Sequence, residues 1–332
     1  MIIYTQNFIN NEKQKIDLSP IRKNLIPLYP EFKNLELSDK FEIENLTKEY
    51  KPYSDFNFAS LWGFNTEEDA LISILNKNLV IQYQDYITKD KFFTFIGSHH
   101  VYSTILILLE TCKKKNMIPQ LKLIPHECIF DNKLLFDFFS IHEDRDNFDY
   151  IFSTEKLISI SGPLYEKKRN HLSSFKRQYP NIIAKSIDLS NEKIKESIFD
   201  LFYIWEHNKK LTREETAIEL KALSRIIKYE KYFNLLSLGF FDKDKLIGFC
   251  FAEILKNQYA QILFSKADTS YHGLFEFIHT EVARQLYKRG CIYENREQDL
   301  GLENLRKSKE SWQPTTFLKK YIISEKIMLD NI

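Results

Sequence analysis

The amino-acid sequence predicts an α+β protein of two domains, each a mixed, mostly antiparallel sheet flanked by helices. Three observations carry this. The chain has 332 residues, more than one domain usually holds, so two units of about 150 residues each are the natural division. Hydrophobic residues make up 43% and aromatics 14%, with 27 Phe and 18 Tyr, which provides for sizeable cores and excludes a disordered chain. The second half repeats the order of elements read in the first, although no sequence repeat is visible.

In chain order, residues 1 to 38 read as an irregular or partly helical lead-in, and a mixed segment follows to Lys51. In KPYSDFNFASLWGFN, Ser54 or Asp55 caps a helix over FNFASLW with Phe56 and Trp62 as core, or Asp55 stands as a small carboxylate on an apolar wall. ALISILN, LVIQYQDYI and FFTFIG read as three strands of an antiparallel meander. SHHVYSTILILLETCKKK has apolar residues at helical spacing and basic residues in its last turn, and LKLIP reads as a further strand. His99 and His100 are adjacent, about 100° apart around a helix, which suits capping or packing better than joint metal ligation.

LLFDFFS is helix-like, His142 to Asp146 a charged loop, and DYIFSTEKLISI a paired strand region. GPLYEKKRNHLSSFKRQYP reads as a basic helix ending at Pro180. Tyr165, Leu172 and Phe175 form its buried stripe, and Lys167, Lys168, Arg169, His171, Lys176 and Arg177 its positive charge. It is either a solvated helix between domains or a grip for phosphates. The domain boundary is placed here, giving units 1–175 and 176–332.

The second unit runs through a strand, NIIAKSIDL, helices from Glu192 to His207 and Arg213 to Lys228, and strands FNLLSLGFF, KLIGFCFAEIL and YAQILFSKAD. A helix, GLFEFIHTEVARQLYKRG, and a short strand, CIYE, complete it. A strand, two helices, three antiparallel strands, a helix and a further strand is the order of the N-acetyltransferase fold.

Polar groups of fixed chemistry concentrate between Tyr293 and Tyr321. Asn295, Arg296, Glu297, Gln298 and Asp299 form an elbow between CIYE and a helical pattern carrying Leu302, Leu305, Arg306, Lys307 and Lys309. Such an elbow can aim free N–H groups and carboxylates outward. The plainer reading makes Asp299 a helix cap, Arg296 and Glu297 an ion pair, and the basic residues a solvated face. Leu302 and Leu305 are expected to face the core, and Arg306 and Lys309, three apart, a cleft.

NREQDLGLENLRKSKESWQP, together with YSDFNFASLWGF and DYIFSTEKLISISGPLYEKKRNHLSSF, resembles the family of the phosphatidylglycerol lysyltransferase C-terminal domain and its soluble relatives. The resemblance implies tandem acyltransferase domains of the GCN5-related N-acetyltransferase (GNAT) type, similar also to the aminoacyl-tRNA-dependent ligases of peptidoglycan precursors. It implies aminoacyl-tRNA as donor, no separate cofactor, and an amine or hydroxyl acceptor on a lipid, a peptide or a small amine. Lys266 and Asp268 resemble the family's Lys-Ala-Asp block, although Leu263, Phe264 and Ser265 replace polar residues that often precede the lysine. On this basis Lys266, Arg306 and Lys309 are expected to supply positive charge to an oxyanion, and Asp299 or Glu297 to orient the attacking amine. Ser54, Asp55, Arg169, Asn295, Arg296 and Glu297 are expected to bind substrate.

Two other functions stay open. An acyl-CoA-dependent N-acyltransferase would need a pyrophosphate cradle at a helix start, where this chain offers a single glycine, Gly97 or Gly273. A binding protein could keep the fold without turnover. No phosphate loop of the nucleotide-hydrolase kind, zinc spacing or serine elbow is present, and Trp205, Glu206 and His207 point apart, with Trp205 as core. Cys112, Cys128, Cys250 and Cys291 read as buried free thiols of a reducing compartment. The start lacks a signal pattern and TILILLETC is too short to span a bilayer, so a soluble cytoplasmic protein without a transmembrane segment is expected. A net charge of +1 excludes a general nucleic-acid-coating surface but leaves room for a local basic patch.

Overall fold

The computed structural model describes residues 25–85 and 88–326. The lead-in expected over residues 1 to 38 lies outside the described residues as far as 24, as do the last two residues of LVIQYQDYI.

In chain order the described residues form β1 (Lys33–Asn34), β2 (Leu71–Leu75), β3 (Asn78–Gln84), β4 (Lys91–Ile96), β5 (Gln120–Pro125) and β6 (Phe139–Glu143). After them come β7 (Asp149–Ser153), β8 (Ile183–Ser186), β9 (Leu235–Asp242), β10 (Lys245–Ile254), β11 (Tyr259–Ala267), β12 (Tyr293–Asn295), β13 (Thr316–Leu318) and β14 (Lys320–Glu325). Among the described residues they form two seven-stranded sheets. The first has the order β1-β2-β3-β4-β5-β14-β6, and the second, counted from its far edge, β8-β9-β10-β11-β12-β7-β13. The orders match position for position, and the parallel pairs β4/β5 and β11/β12 stand at equivalent places. The fold is therefore the expected tandem pair of GNAT-like, mostly antiparallel sheets flanked by helices.

What the sequence did not announce is an exchange. β7 comes from the first half yet lies in the second sheet between β12 and β13, with Ile151 opposite Asn295 and Thr316. β14 comes from the end of the chain yet lies in the first sheet between β5 and β6. A cut at residue 175 would strip each sheet of an interior strand. Strand patterning fixes which face of a strand is apolar but carries no address for the neighbour, so the exchange was invisible.

The halves also share a core. The helix Phe58–Phe64 is buried from Phe58 to Gly63, because a helix that is apolar on every side except at Ser60 needs cover all round. It has that cover here. Trp62 packs edge-on to Tyr229 at 5.2 Å and Phe64 stacks on Phe264 at 5.6 Å. Gly63 permits the approach, since a Cβ there would lie 3.1 Å from Ile226 of the helix Arg213–Lys228.

The other long helices form where helical periodicity predicts them: Val101–Lys114, Glu166–Gln178, Glu192–Lys209 and Leu274–Tyr287. Two local readings are corrected. TEKLIS is a helix, Thr154–Ser159, rather than a strand, because Ser153 accepts the Lys156 N–H and caps it. The charged loop loses His142 and Glu143 to β6, which pairs with β14, a strand the sequence reading did not include.

Because each half completes the other's sheet, fragments 1–175 and 176–332 expressed separately should show no cooperative thermal unfolding. Mixing them during refolding should restore it. Circular dichroism melts of each fragment and of the mixture make the check.

Candidate active site

Pairing between the parallel strands β4 and β5 is confined to Phe93 opposite Leu121, and beyond it they diverge. Leu123 adopts φ +58° at the bulge where β5 carries one residue more than β14 between their paired positions. A cleft of about 410 Å³ opens at this divergence. Phe92 and Leu123 line it from the first sheet, Asp55 and Ser60 from the turn and helix before β2, and Glu297 and Gln298 from the elbow after β12. Both halves of the chain thus meet in one wall.

The elbow's shape follows from its bonds. Side chains on β12 alternate, so Asn295 faces the cleft side and Glu294 the opposite side, toward the helix Leu274–Tyr287. Asn295 donates to Pro52 O at 2.8 Å and to Asp149 Oδ2 at 3.1 Å, while its Oδ1 accepts the Glu297 N–H at 2.7 Å. Glu297 takes the left-handed backbone conformation, φ +58°, a cost that a non-glycine residue bears only when its surroundings enforce it. Lys309 supplies that enforcement. Its Nζ donates to the carbonyls of Arg296 at 2.6 Å and Glu297 at 3.2 Å, and to that of Gln298. Burial lowers its pKa to about 8.

Beneath the elbow lies a buried ionic cluster. Ser54 donates its N–H and Oγ–H to the two carboxylate oxygens of Asp149, at 2.7 and 2.6 Å. Lys320 of β14 donates to Asp149 Oδ1 at 2.8 Å and pairs with Asp55. Burial opposes the charge on Lys320, but the attraction of Asp149 and Asp55 outweighs it and raises its pKa. Asp55, whose Oδ1 accepts from Gln298 at 2.9 Å, is pushed up to about 6 by burial, against the pull of Lys320.

Glu297 is pushed up to about 7, again by burial, although Ser60 Oγ donates to its Oε1 at 2.8 Å and Gln261 Nε2 at 2.9 Å. Asp299 goes the other way. It is fully buried, but Arg306 donates to it at 2.7 and 2.9 Å, Tyr150 at 2.5 Å, the Gly301 N–H at 2.9 Å and Arg145 at 3.1 Å. Burial works against the charge, and these donors, Arg306 and Tyr150 foremost, bring the pKa down to about 2.

Seven of the residues singled out from sequence are thus brought together: Ser54, Asp55, Asn295, Glu297, Asp299, Arg306 and Lys309. Their local roles differ from expectation. Lys309 holds three backbone carbonyls, and Arg306 bridges Asp299 and, at 2.6 Å, Asp146, so neither presents an unpaired cation. Asp299 is the anion of an ion-pair cluster rather than a helix cap; the helix Glu303–Glu310 follows Leu302. Leu302 is 55% exposed, not core, and Leu305 half-buried, because this short helix is anchored by Arg306 and Lys309.

Three singled-out residues stand elsewhere. Lys266 lies five residues beyond Gln261 on β11, roughly 17 Å along the strand, where it pairs with Glu219 at 2.7 Å and sits 3.5 Å from the centre of the Trp205 ring. Arg169 donates to the carbonyls of Ile160 and Gly162. Arg296 turns to the far side of the second sheet, where it pairs with Glu294 and meets His279 Nδ1 at 2.6 Å.

Lys320, Asp149, Tyr150, Ser60 and Gln261 were not read from the sequence. A charged residue opening an apolar strand, as in KYIIS or DYIFS, was the available signal for Lys320 and Asp149. Among the described residues no group of three or more His, Cys, Asp or Glu is placed to hold a metal ion, and no helix is long and apolar enough to cross a membrane.

Comparison with known proteins gives a consistent result. The family model of the phosphatidylglycerol lysyltransferase C-terminal region matches residues 47–324. An uncharacterized protein of Mycoplasmoides gallisepticum is 29% identical over 192 residues, 58% of this chain and 60% of the relative, so the chain spans 60% of that protein's length. A conserved protein of unknown function from Bacteroides thetaiotaomicron is 26% identical with a TM-score of 0.77, over 89% of this chain and 99% of the other. L-PGS from Bacillus licheniformis, 13% identical, shares the fold with a TM-score of 0.57 over 87% of this chain and 92% of its own.

Two substitutions test the electrostatics. Lys320→Met leaves Asp149 and Asp55 without their shared cation and should cost about 3–5 kcal/mol, read from urea unfolding at neutral pH. Asp299→Asn should cost about 1–3 kcal/mol. Because the Asp299 pKa is depressed, its contribution is present above the unfolded value near 4 and is lost as pH falls toward 2. Unfolding of Asp299→Asn should therefore show a shallower pH dependence in that window than the parent chain.

Proposed function

We propose that this chain, which belongs to the family of the phosphatidylglycerol lysyltransferase C-terminal domain, moves an aminoacyl group from aminoacyl-tRNA to an amine or hydroxyl acceptor. The observation that carries the reading is the composition of the cleft wall. Asp55, Asp69, Asp85, Asp144, Asp146 and Glu297 line it, and its one cation among the described residues is Lys122; Asp85 pairs with Lys122 at 3.2 Å, Asp146 with Arg306 at 2.6 Å and Asp55 with Lys320, which leaves Asp69, Asp144 and Glu297 in excess. A wall of this sign attracts the α-ammonium that every aminoacyl ester carries and repels a pyrophosphate.

The chemistry then has a definite proton path. The acceptor's nitrogen or oxygen attacks the ester carbonyl, and the Glu297 carboxylate takes the proton released from it. The bond to the 2′ or 3′ oxygen of the tRNA end breaks, and the protonated Glu297 returns the proton to that oxygen. A carboxyl group with a pKa of about 7 serves both directions near neutral pH. Asp55 stands on the same wall to hold the ammonium, and Gln298, bonded to Asp55, keeps it in place.

The acyl-CoA alternative meets resistance at both helix starts. A Cβ at Gly273 would lie 2.6 Å from the His171 carbonyl, so the basic helix covers the start of Leu274–Tyr287, and the Asp268 carboxylate already takes the Ser270 N–H. At the first helix, Asn78 accepts from the His99 N–H and donates to its carbonyl. Neither place resembles an open pyrophosphate cradle. The exposed Lys167, Lys176 and Arg177 of the basic helix are suited to tRNA phosphates. A cytoplasmic location goes with this donor; a lipid, a peptide or a small amine would serve as acceptor.

The test offers the purified protein labelled aminoacyl-tRNA and labelled acetyl-CoA in parallel, with cell extract as the source of acceptors. Transfer from aminoacyl-tRNA is expected, rising with pH through about 7 because the base must be ionised. Glu297→Gln should lower kcat/KM by about 10²–10⁴-fold, and binding of the tRNA should weaken steeply between about 50 and 200 mM salt. Transfer from acetyl-CoA alone would overturn the proposal.

A further inference from the structure

Gln261 is fully buried on β11, opposite Asn295 in the parallel pairing with β12. Its Nε2 donates to Glu297 Oε1 at 2.9 Å and to Ser60 Oγ at 2.6 Å, and Ser60 Oγ in turn donates to the same Glu297 oxygen at 2.8 Å. Its own Oε1 is buried without a hydrogen-bond partner. An unpaired buried acceptor is costly, and an apolar side chain of equal size at this place would avoid the cost. The amide is retained for what its other end does.

We infer that Gln261, together with Ser60, is the positioning pair of the catalytic carboxylate, clamping Glu297 Oε1 so that Oε2 is the oxygen turned to the cleft. The three groups come from separate elements: Gln261 from the second sheet, Ser60 from the helix Phe58–Phe64, Glu297 from the elbow. Their meeting depends on the two halves being seated together. Two donors on one oxygen also favour the ionised form of the carboxylate, against the burial that disfavours it. The charges that act on Glu297 are Lys309 from the helix Glu303–Glu310 and Asp149 from β7, which pairs with Lys320 of β14. Glu253, opposite Gln261 on β10, is a second buried carboxyl raised to about 7 and is bonded to Asn57.

The inference rests on Glu297 as the base of the proposed transfer, so it is tested by two readouts, one of which needs no turnover. In the first, pH profiles of aminoacyl transfer are measured for the parent chain, Gln261→Met and Ser60→Ala. Loss of the donors should move the acid limb upward by about one pH unit, a roughly tenfold loss below the limb, with a smaller loss on the alkaline plateau where only the positioning of the ionised carboxylate is affected. An unmoved limb, or a uniform loss at every pH, would overturn the assignment.

The second readout is unfolding free energy against pH, for the parent and Gln261→Met, each with and without Glu297→Gln. A carboxyl group whose folded pKa is raised binds more protons folded than unfolded, so stability falls as pH rises through the window from its ordinary value to about 7. Gln261→Met should extend that fall to higher pH, and in the Glu297→Gln background its effect should be the same at every pH. This coupling without any transfer would overturn the transferase reading and leave the clamp standing. Transfer without the coupling would do the reverse. Should Gln261→Met fail to fold, Ser60→Ala, which removes one donor and little volume, decides the same question.

Discussion

Lys320 sits at the start of the last strand, without exposure to solvent, between Asp149 of β7 and Asp55 of the turn before the helix Phe58–Phe64. β14 is the strand that the second half gives to the first sheet, and β7 the strand that the first half gives to the second. The ion pair therefore ties together the two exchanged strands. A charge of this kind is tolerated in the interior only when opposite charges and hydrogen bonds surround it, and here Ser54 and Asn295 complete the set around Asp149.

The elbow from Asn295 to Gly301 is built on that support. Asn295 is fixed by Asp149 and fixes Glu297, whose left-handed backbone turns its side chain into the cleft. On the other side of the turn, Lys309 gathers three successive carbonyls and Asp299 gathers Arg145, Tyr150 and Arg306. A stretch rich in charged residues is thus mostly internal scaffolding. Its basic residues neutralise carbonyls and carboxylates, and on the cleft wall Glu297 and Asp55 are carboxyl groups that change protonation near neutral pH.

That division of labour explains a contrast within the fold. Parallel pairing is short at both equivalent places, one position between β4 and β5 and three between β11 and β12. In the second sheet Gln261 and Asn295 mark the last paired positions before β11 and β12 part, and both side chains are committed to holding the elbow. The first sheet keeps its divergence open, between Phe92 and Leu123. One sheet supplies the opening and the other supplies the groups that face it, which is why the protein needs both.

The sequence by itself determined the local elements and the candidate stretch. Apolar spacing fixed the meander of β2 to β4, the helices Val101–Lys114 and Arg213–Lys228, and the long hairpins of the second sheet, because periodicity is a property of neighbouring residues. The polar run from Asn295 to Lys309 was legible as a candidate stretch by its concentration of polar groups, whereas pattern alone favoured a helix cap at Ser54 or Asp55 and only the family resemblance kept Asp55 as a substrate-facing group. Only the tertiary structure decided which charges meet. Asp149 and Lys320 are 171 positions apart and Ser60 and Gln261 are 201 apart, and no local rule connects them. Lys266 shows the same limit from the other side: its type fitted the chemistry, but on an extended strand five residues carry it out of reach of the cleft, to the ring of Trp205. Strand alternation records which way a side chain points; the partner it finds is set by where whole strands are exchanged between sheets.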